Sequence, residues 1–280
     1  MIKKTLFFLL LITSSYGLAC NCLDFNKAQK KAIEQNKFLL VHFRDSFYIN
    51  EKGDGIMSLP LLNEESNQIF QNYIFVCVPK KQYPNLLKKY NITEEFQLLI
   101  IDSNGYELHR FKDFENQVDI YNVLLNFTIP KNFFLSDFSN FKKSKNYNNA
   151  TRLAIKYFDY SLLVEKALKP EVYKVANYYL NEATKLLSKN DDSYLEKIEK
   201  INLINLYHWA FNKNFDVLNE KINSFNPSDI NENNLNFFYF LKYISAKGIL
   251  KEDFNEIDKT RKIEGFDGFV KKAELIMNQN

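Results

Sequence analysis

Cysteine is scarce: Cys20, Cys22 and Cys77 are the only three in 280 residues. A structural zinc site takes four ligands at short paired spacings, and no such spacing exists here, so no metal is expected. Glycine is scarce as well, and none of the seven builds a Gly-rich phosphate loop. The chain has no serine nucleophile elbow and no His-Glu-x-x-His pair. These absences remove the common nucleotide, acyl-transfer and metallopeptidase chemistries, and no cofactor is expected. Excess charge is missing too. Lysine and arginine number 37 against 34 aspartates and glutamates. Removing Lys3 and Lys4 cuts even that small excess, so the chain lacks the concentrated basic surface on which nucleic-acid binding rests. Runs such as Lys142-Lys143-Ser144-Lys145 read as solvated helix face.

What is present begins with an export pattern. Lys3 and Lys4 precede an apolar stretch from Leu6 to Ile12, and Ser14 to Ala19 gives a small-residue approach to cleavage. The apolar stretch is too short for a stable bilayer span, which needs about 20 residues. No second stretch is long and apolar enough for a membrane helix. Residues 1–19 are therefore expected to be a signal peptide. Gly17-Leu18-Ala19-Cys20 resembles a bacterial lipobox, with Gly17 where the pattern has leucine. Lipidation of Cys20 would give a membrane-anchored lipoprotein, the anchor being its only membrane contact. Ordinary cleavage after Gly17 or Ala19 would give a soluble periplasmic or secreted protein. Export permits disulfides, but the count is odd. Cys22 and Cys77 remain as a pair if Cys20 is lipidated; otherwise Cys20 and Cys22 can pair or stay reduced. Cys77, in the apolar run Ile74 to Val78, reads as a small buried hydrophobe.

Along the chain, the first half alternates helix and strand signals. Leu23 to Asn36 has helical spacing, with Asp24 or Asn26 available as cap. Phe38 to Phe43 shows no alternation, which suits a strand covered on both faces. Leu61, Leu62, Ile69 and Phe70 give a helix face before the strand Tyr73 to Val78. A short helix around Tyr83 to Tyr90 leads to the strand Gln97 to Asp102. Ser103-Asn104-Gly105 signals a hairpin, Glu107 to Phe111 returns, and Val118 to Phe127 closes the unit as an amphipathic helix. The order implies an α/β sandwich over residues 20–130. Residues 131–280 read as helices only, with apolar spacing over Phe133–Phe141, Leu153–Leu163, Val172–Leu187, Ile198–Phe211, Phe215–Phe225, Leu235–Ile249 and Phe266–Met277. Paired helices of this length resemble helical-hairpin arrays of the tetratricopeptide type, although no 34-residue self-match appears. Phe237-Phe238-Tyr239-Phe240 exceeds one helical face and implies wide burial or a docking surface.

Residues 23 to 127 resemble the secreted bacterial thioredoxin-like proteins. The matching positions are Ala28 and Ala32, Asn36-Lys37, Val41-His42-Phe43, Asn72 to Val76, Tyr90-Asn91-Ile92, and Leu98 to Asp102 with Gly105. The resemblance implies a thioredoxin-like sandwich with a redox loop after Phe43. There the sequence departs from the family. Counting from Phe43 puts the family's Cys-x-x-Cys near Tyr48 and Glu51, and counting back from Met57 puts it at Glu51 and Asp54. Neither frame holds sulfur, and thiol–disulfide exchange needs a thiolate. The family's cis-proline position falls on Phe96, and a cis bond there would cost about 3–4 kcal/mol, so a trans bond and a reshaped groove are expected.

Two functions are compatible with these residues. The first is a redox-inactive protein-binding module in the bacterial cell envelope, with Phe47, Tyr48 and Phe96 as its binding surface. The second is a divergent thiol oxidoreductase using Cys20 and Cys22, or Cys22 and Cys77. It is weakened because Cys22 precedes the first helix and Cys77 lies in a strand, both away from the redox-position helix N-terminus that lowers a thiol pKa. Glu51 and Asp54 form a single carboxylate pair, which most often is merely solvated. His42 reads as a core histidine, and His109 and His208 have no companion ligand spacing.

Overall fold

The structure is a computed structural model that describes residues 19–20, 24–44, 55–56, 68–93, 96–111, 117–250 and 266–278. It is a mixed α/β protein with a four-stranded sheet and a largely helical remainder. The chain divides into two compact units, Met1–Leu135 and Ser136–Asn280.

In the first unit, β1 (Ala19–Cys20) is followed by α1 (Phe25–Gln35), β2 (Phe38–Arg44) and β3 (Gly55–Ile56). Next come β4 (Tyr73–Pro79), α2 (Pro84–Lys89), β5 (Phe96–Ile101), β6 (Glu107–Phe111) and α3 (Gln117–Asn126). The sheet order is β4-β2-β5-β6. β2 pairs in parallel with β4 and antiparallel with β5, and β5 pairs antiparallel with β6. β2 is thus an interior strand, and Phe38 to Val41 and Phe43 are fully buried. That explains its unbroken apolar run: a strand covered on both faces needs no polar side.

Strand parity divides the core. Leu39, Val41 and Phe43 join Ile74, Val76, Val78, Leu99 and Ile101 on one face, where Phe25, Ala28 and Ala32 of α1 cover them. Side chains alternate along a strand, so Phe38, Leu40 and His42 belong to the other face. There Phe38 meets Phe134 at 6.1 Å, and the Tyr73 hydroxyl donates to the Leu124 carbonyl of α3.

Local chemistry sets the boundaries. α1 starts two residues later than the apolar spacing implied, because the Asp24 carboxylate accepts from the Asn26 and Lys27 amides and caps it. It ends at Asn36, whose φ of 52° is left-handed. The Asn36 side chain donates to the Pro130 carbonyl and accepts from the Phe134 amide, both at 3.2 Å, so this cap also ties down the segment leaving α3. The β5–β6 turn is wider than an Asn-Gly turn with two positive φ values. Only Gly105 takes a positive φ, 89°. The Asp102 carboxylate instead accepts from the Asn104 and Tyr106 amides, closing a longer loop.

The second unit, continuing from Leu135, contains α4 (Leu135–Lys143), α5 (Tyr147–Tyr160), α6 (Lys169–Lys185), α7 (Tyr194–Asn205), α8 (Tyr207–Phe211), α9 (Phe215–Asn223), α10 (Glu232–Leu250) and α11 (Phe266–Asn278). α5 packs on α6, and α9 packs on α10. Tyr157 of α5 stacks on Tyr179 of α6 at 5.5 Å, and Phe138 and Phe141 of α4 close on the same two rings. Pro170 sits in the first turn of α6, where its missing N–H is harmless. The continuous helix expected over Ile198–Phe211 is two helices. The Leu206 and Trp209 amides bond three residues back rather than four, and this tighter turn breaks the ladder. No described helix is long and apolar enough to cross a membrane.

Candidate functional site

The register of the sheet assembles one end of the first unit. Arg44 closes β2, and it pairs with Pro79 at the end of β4 and with Phe96 at the start of β5. The carboxyl ends of two parallel strands therefore meet the incoming end of an antiparallel one. In α/β sheets, ligands gather outside the carboxyl ends of parallel strands. β1 and β3 pair antiparallel, with Cys20 opposite Gly55 and Ala19 opposite Ile56.

Of the residues singled out from sequence, Phe96 lies in this row and Cys20 lies beside Gly55. Phe47, Tyr48, Glu51 and Asp54 lie outside the described residues, as do Cys22 and most of the export segment. Cys77 is a buried thiol at 4 % exposure, in register with His42 on β2. His42 is equally enclosed, at 1 % exposure, and Leu98 of β5 is its other register partner. His109 packs edge-on against Phe111 at 4.6 Å and lies 5.7 Å from Phe127, an aromatic packing role. His208 bonds through Nδ1 to the Asn205 carbonyl, and burial lowers its pKa. Among the described residues, no group of three or more histidine, cysteine or carboxylate side chains can hold a metal ion.

The helical unit holds a polar cluster that spacing did not reveal. Asp159 of α5 and Lys272 of α11 form an ion pair at 2.5 Å, each about a quarter exposed. The Lys272 ammonium also lies 5.0 Å over the Tyr207 ring. Desolvation raises the Asp159 pKa, and the nearby Lys272 and Lys156 charges oppose that shift. Tyr207 is fully buried, its pKa is pushed well up by burial and by Asp159, and its hydroxyl has no hydrogen-bond partner. The one sequence signal was a carboxylate inside the aromatic run Tyr157-Phe158-Asp159-Tyr160.

Comparison of the chain with family models, curated proteins and solved structures finds no match.

Proposed function

We propose that residues 20–130 form a thioredoxin-like domain that has lost its redox chemistry, and that the protein is an exported protein-binding module of a bacterial cell envelope. The strand order β4-β2-β5-β6, a parallel pair followed by an antiparallel hairpin, supports the fold assignment. The observation that carries the functional reading is the segment leaving Arg44 at the carboxyl ends of β2 and β4: Asp45 to Asp54 contains no cysteine. A site at that sheet end then works by contact rather than by exchange. Phe47, Tyr48 and Phe96 are the proposed binding residues, and Tyr48, Glu51 and Asp54 stand where the resembled family keeps its redox cysteines. The pairs α5–α6 and α9–α10 support a helical-hairpin second domain over residues 131–280.

The test joins activity with proximity. The mature protein should neither reduce insulin nor oxidise a dithiol above the uncatalysed rate, because Asp45 to Asp54 supplies no thiolate at the redox position. A photo-crosslinking residue at Tyr48 or Phe96, introduced in the native host, should give one discrete adduct that the same residue at Leu195 does not give. The second reading draws on the β1–β3 pairing, which brings Cys20 next to Gly55 and supplies sulfur from outside the loop. Robust exchange that disappears on Cys20→Ser, Cys22→Ser or Cys77→Ser establishes that reading and removes the first.

Export has its own readout. The intact mass of protein made in a native-like host should lack residues 1–19, with added acyl mass if Cys20 is lipidated. Cys20→Ser should then release it from the membrane fraction. An unprocessed chain recovered from the cytoplasm overturns export.

A further inference from the structure

We infer that α11 is a latch on the helical unit, opening locally as one piece, and that Lys272 seated on Asp159 and Tyr207 is the contact that holds it closed. The inference is independent of the reading of the sheet unit. It rests first on how little apolar surface fastens α11. Among its described side chains, Asp267 to Asn278, only Ala273 and Ile276 are buried, while Leu275 is 63 % exposed. α5 buries eight residues over 14 positions, and α6 buries eight over 17. A 13-residue helix such as α11 is marginal by itself in water. Elements with few buried apolar contacts open at lower free energy than the whole domain.

The remaining attachments are specific. Phe269 lies 5.0 Å from the Phe240 ring and 6.3 Å from Phe237, both on α10. The Lys213 ammonium donates to the Met277 carbonyl at 3.1 Å. The Lys272–Asp159 pair is the ion pair that joins α11 to α5. Two other groups face that carboxylate: Lys156 from its own helix and Tyr207 from α8. With α11 closed, Lys272 offsets the cost of a carboxylate partly removed from water and covers Tyr207. Without Lys272, the closed form keeps a desolvated carboxylate lacking its nearest cation, whereas the open form hydrates it. Loss of Lys272 therefore favours opening specifically. Opening uncovers the Tyr207, Phe237 and Phe240 rings with Asp159 at their margin.

Native-state hydrogen exchange on the full chain, in increasing sub-denaturing urea, tests the latch. In the wild type, α11 amides should exchange about tenfold or more faster than the slowest amides of α5 and α6, with a shallow urea dependence. Lys272→Met should speed α11 about tenfold further and leave α5 and α6 nearly unchanged, an effect between those of exposed and buried ion pairs. Lys272→Arg should keep α11 near its wild-type rate. Exchange of α11 together with α5 and α6 at one global rate overturns the inference, as does equal acceleration of all three helices in Lys272→Met. If Lys272→Met fails to fold, the urea dependence of wild-type α11 decides by itself.

Discussion

Phe158→Ala should lower the stability of the helical unit by about 3–5 kcal/mol, the range for removing a fully enclosed phenylalanine side chain. Phe158 has no exposed surface. Its ring lies 5.8 Å from Tyr173, 5.7 Å from Tyr207 and 6.1 Å from Phe211, so α5 meets both α6 and α8 through it. Truncation leaves a cavity walled by rings that are themselves buried and held by further partners. Tyr207, for example, is also in edge contact with Phe211, Phe237 and Phe240. Such walls collapse little, and the cost rises with the cavity that remains. Phe158→Leu leaves a smaller cavity and should cost clearly less than Phe158→Ala. The only tryptophan, Trp209, is on α8, so its fluorescence in a urea titration reports on this unit. A Phe158→Ala cost below about 1 kcal/mol would mean that the aromatic cluster is not the packed core described here.

That cluster shows what kinds of information the sequence carried. Helical spacing identified most of the α-helical stripes, because one apolar face per helix is a local property. It did not identify which rings meet. Tyr157 and Tyr179 stack, yet nothing in the separate α5 and α6 patterns specifies that partnership. The break at Leu206 was invisible for a related reason: apolar residues continue through it, and only the shortened hydrogen bonds mark the turn. In the sheet, the unbroken apolar run of β2 was legible as an interior strand because it lacks a polar face. The wide β5–β6 turn was not, since it depends on the Asp102 carboxylate outcompeting a tight Asn-Gly geometry.

The candidate site divides in the same way. The missing sulfur between Asp45 and Asp54 is a fact of composition, read directly. The meeting of Arg44, Pro79 and Phe96 is a fact of register, which couples residues up to 52 positions apart in the chain. The Asp159–Lys272 pair spans a still longer separation and involves two residue types that are ordinary on any helix surface. Only the packing of α11 makes them partners. A half-buried charge pair between distant helices is therefore the feature of this chain that sequence reading had least means to find.

Gly248→Ala should destabilise the protein, reversing the sign normally expected of that exchange within a helix. Alanine is better than glycine in a helix interior by about 1 kcal/mol. At Gly248 of α10, however, an added Cβ would fall 2.2 Å from both Cγ and Cδ2 of Phe215 and 2.6 Å from Cδ1. Those atoms are the attached end of the ring, so the ring cannot clear the methyl by turning about its own axis. Either χ1 changes or α9 moves away from α10. Overpacking of this kind costs about 1–3 kcal/mol, which exceeds the propensity gain at most of that range. A second substitution isolates the cause. In a Phe215→Ala background the obstacle is gone, and Gly248→Ala should then stabilise by about 0.5–1 kcal/mol. Denaturation midpoints of the wild type, both single variants and the double variant complete the cycle. Neighbouring sites that share a contact give interaction energies of about 0.5–3 kcal/mol, whereas independent sites add. Additivity here, with Gly248→Ala stabilising in both backgrounds, would show that α9 and α10 do not approach through Gly248 and Phe215.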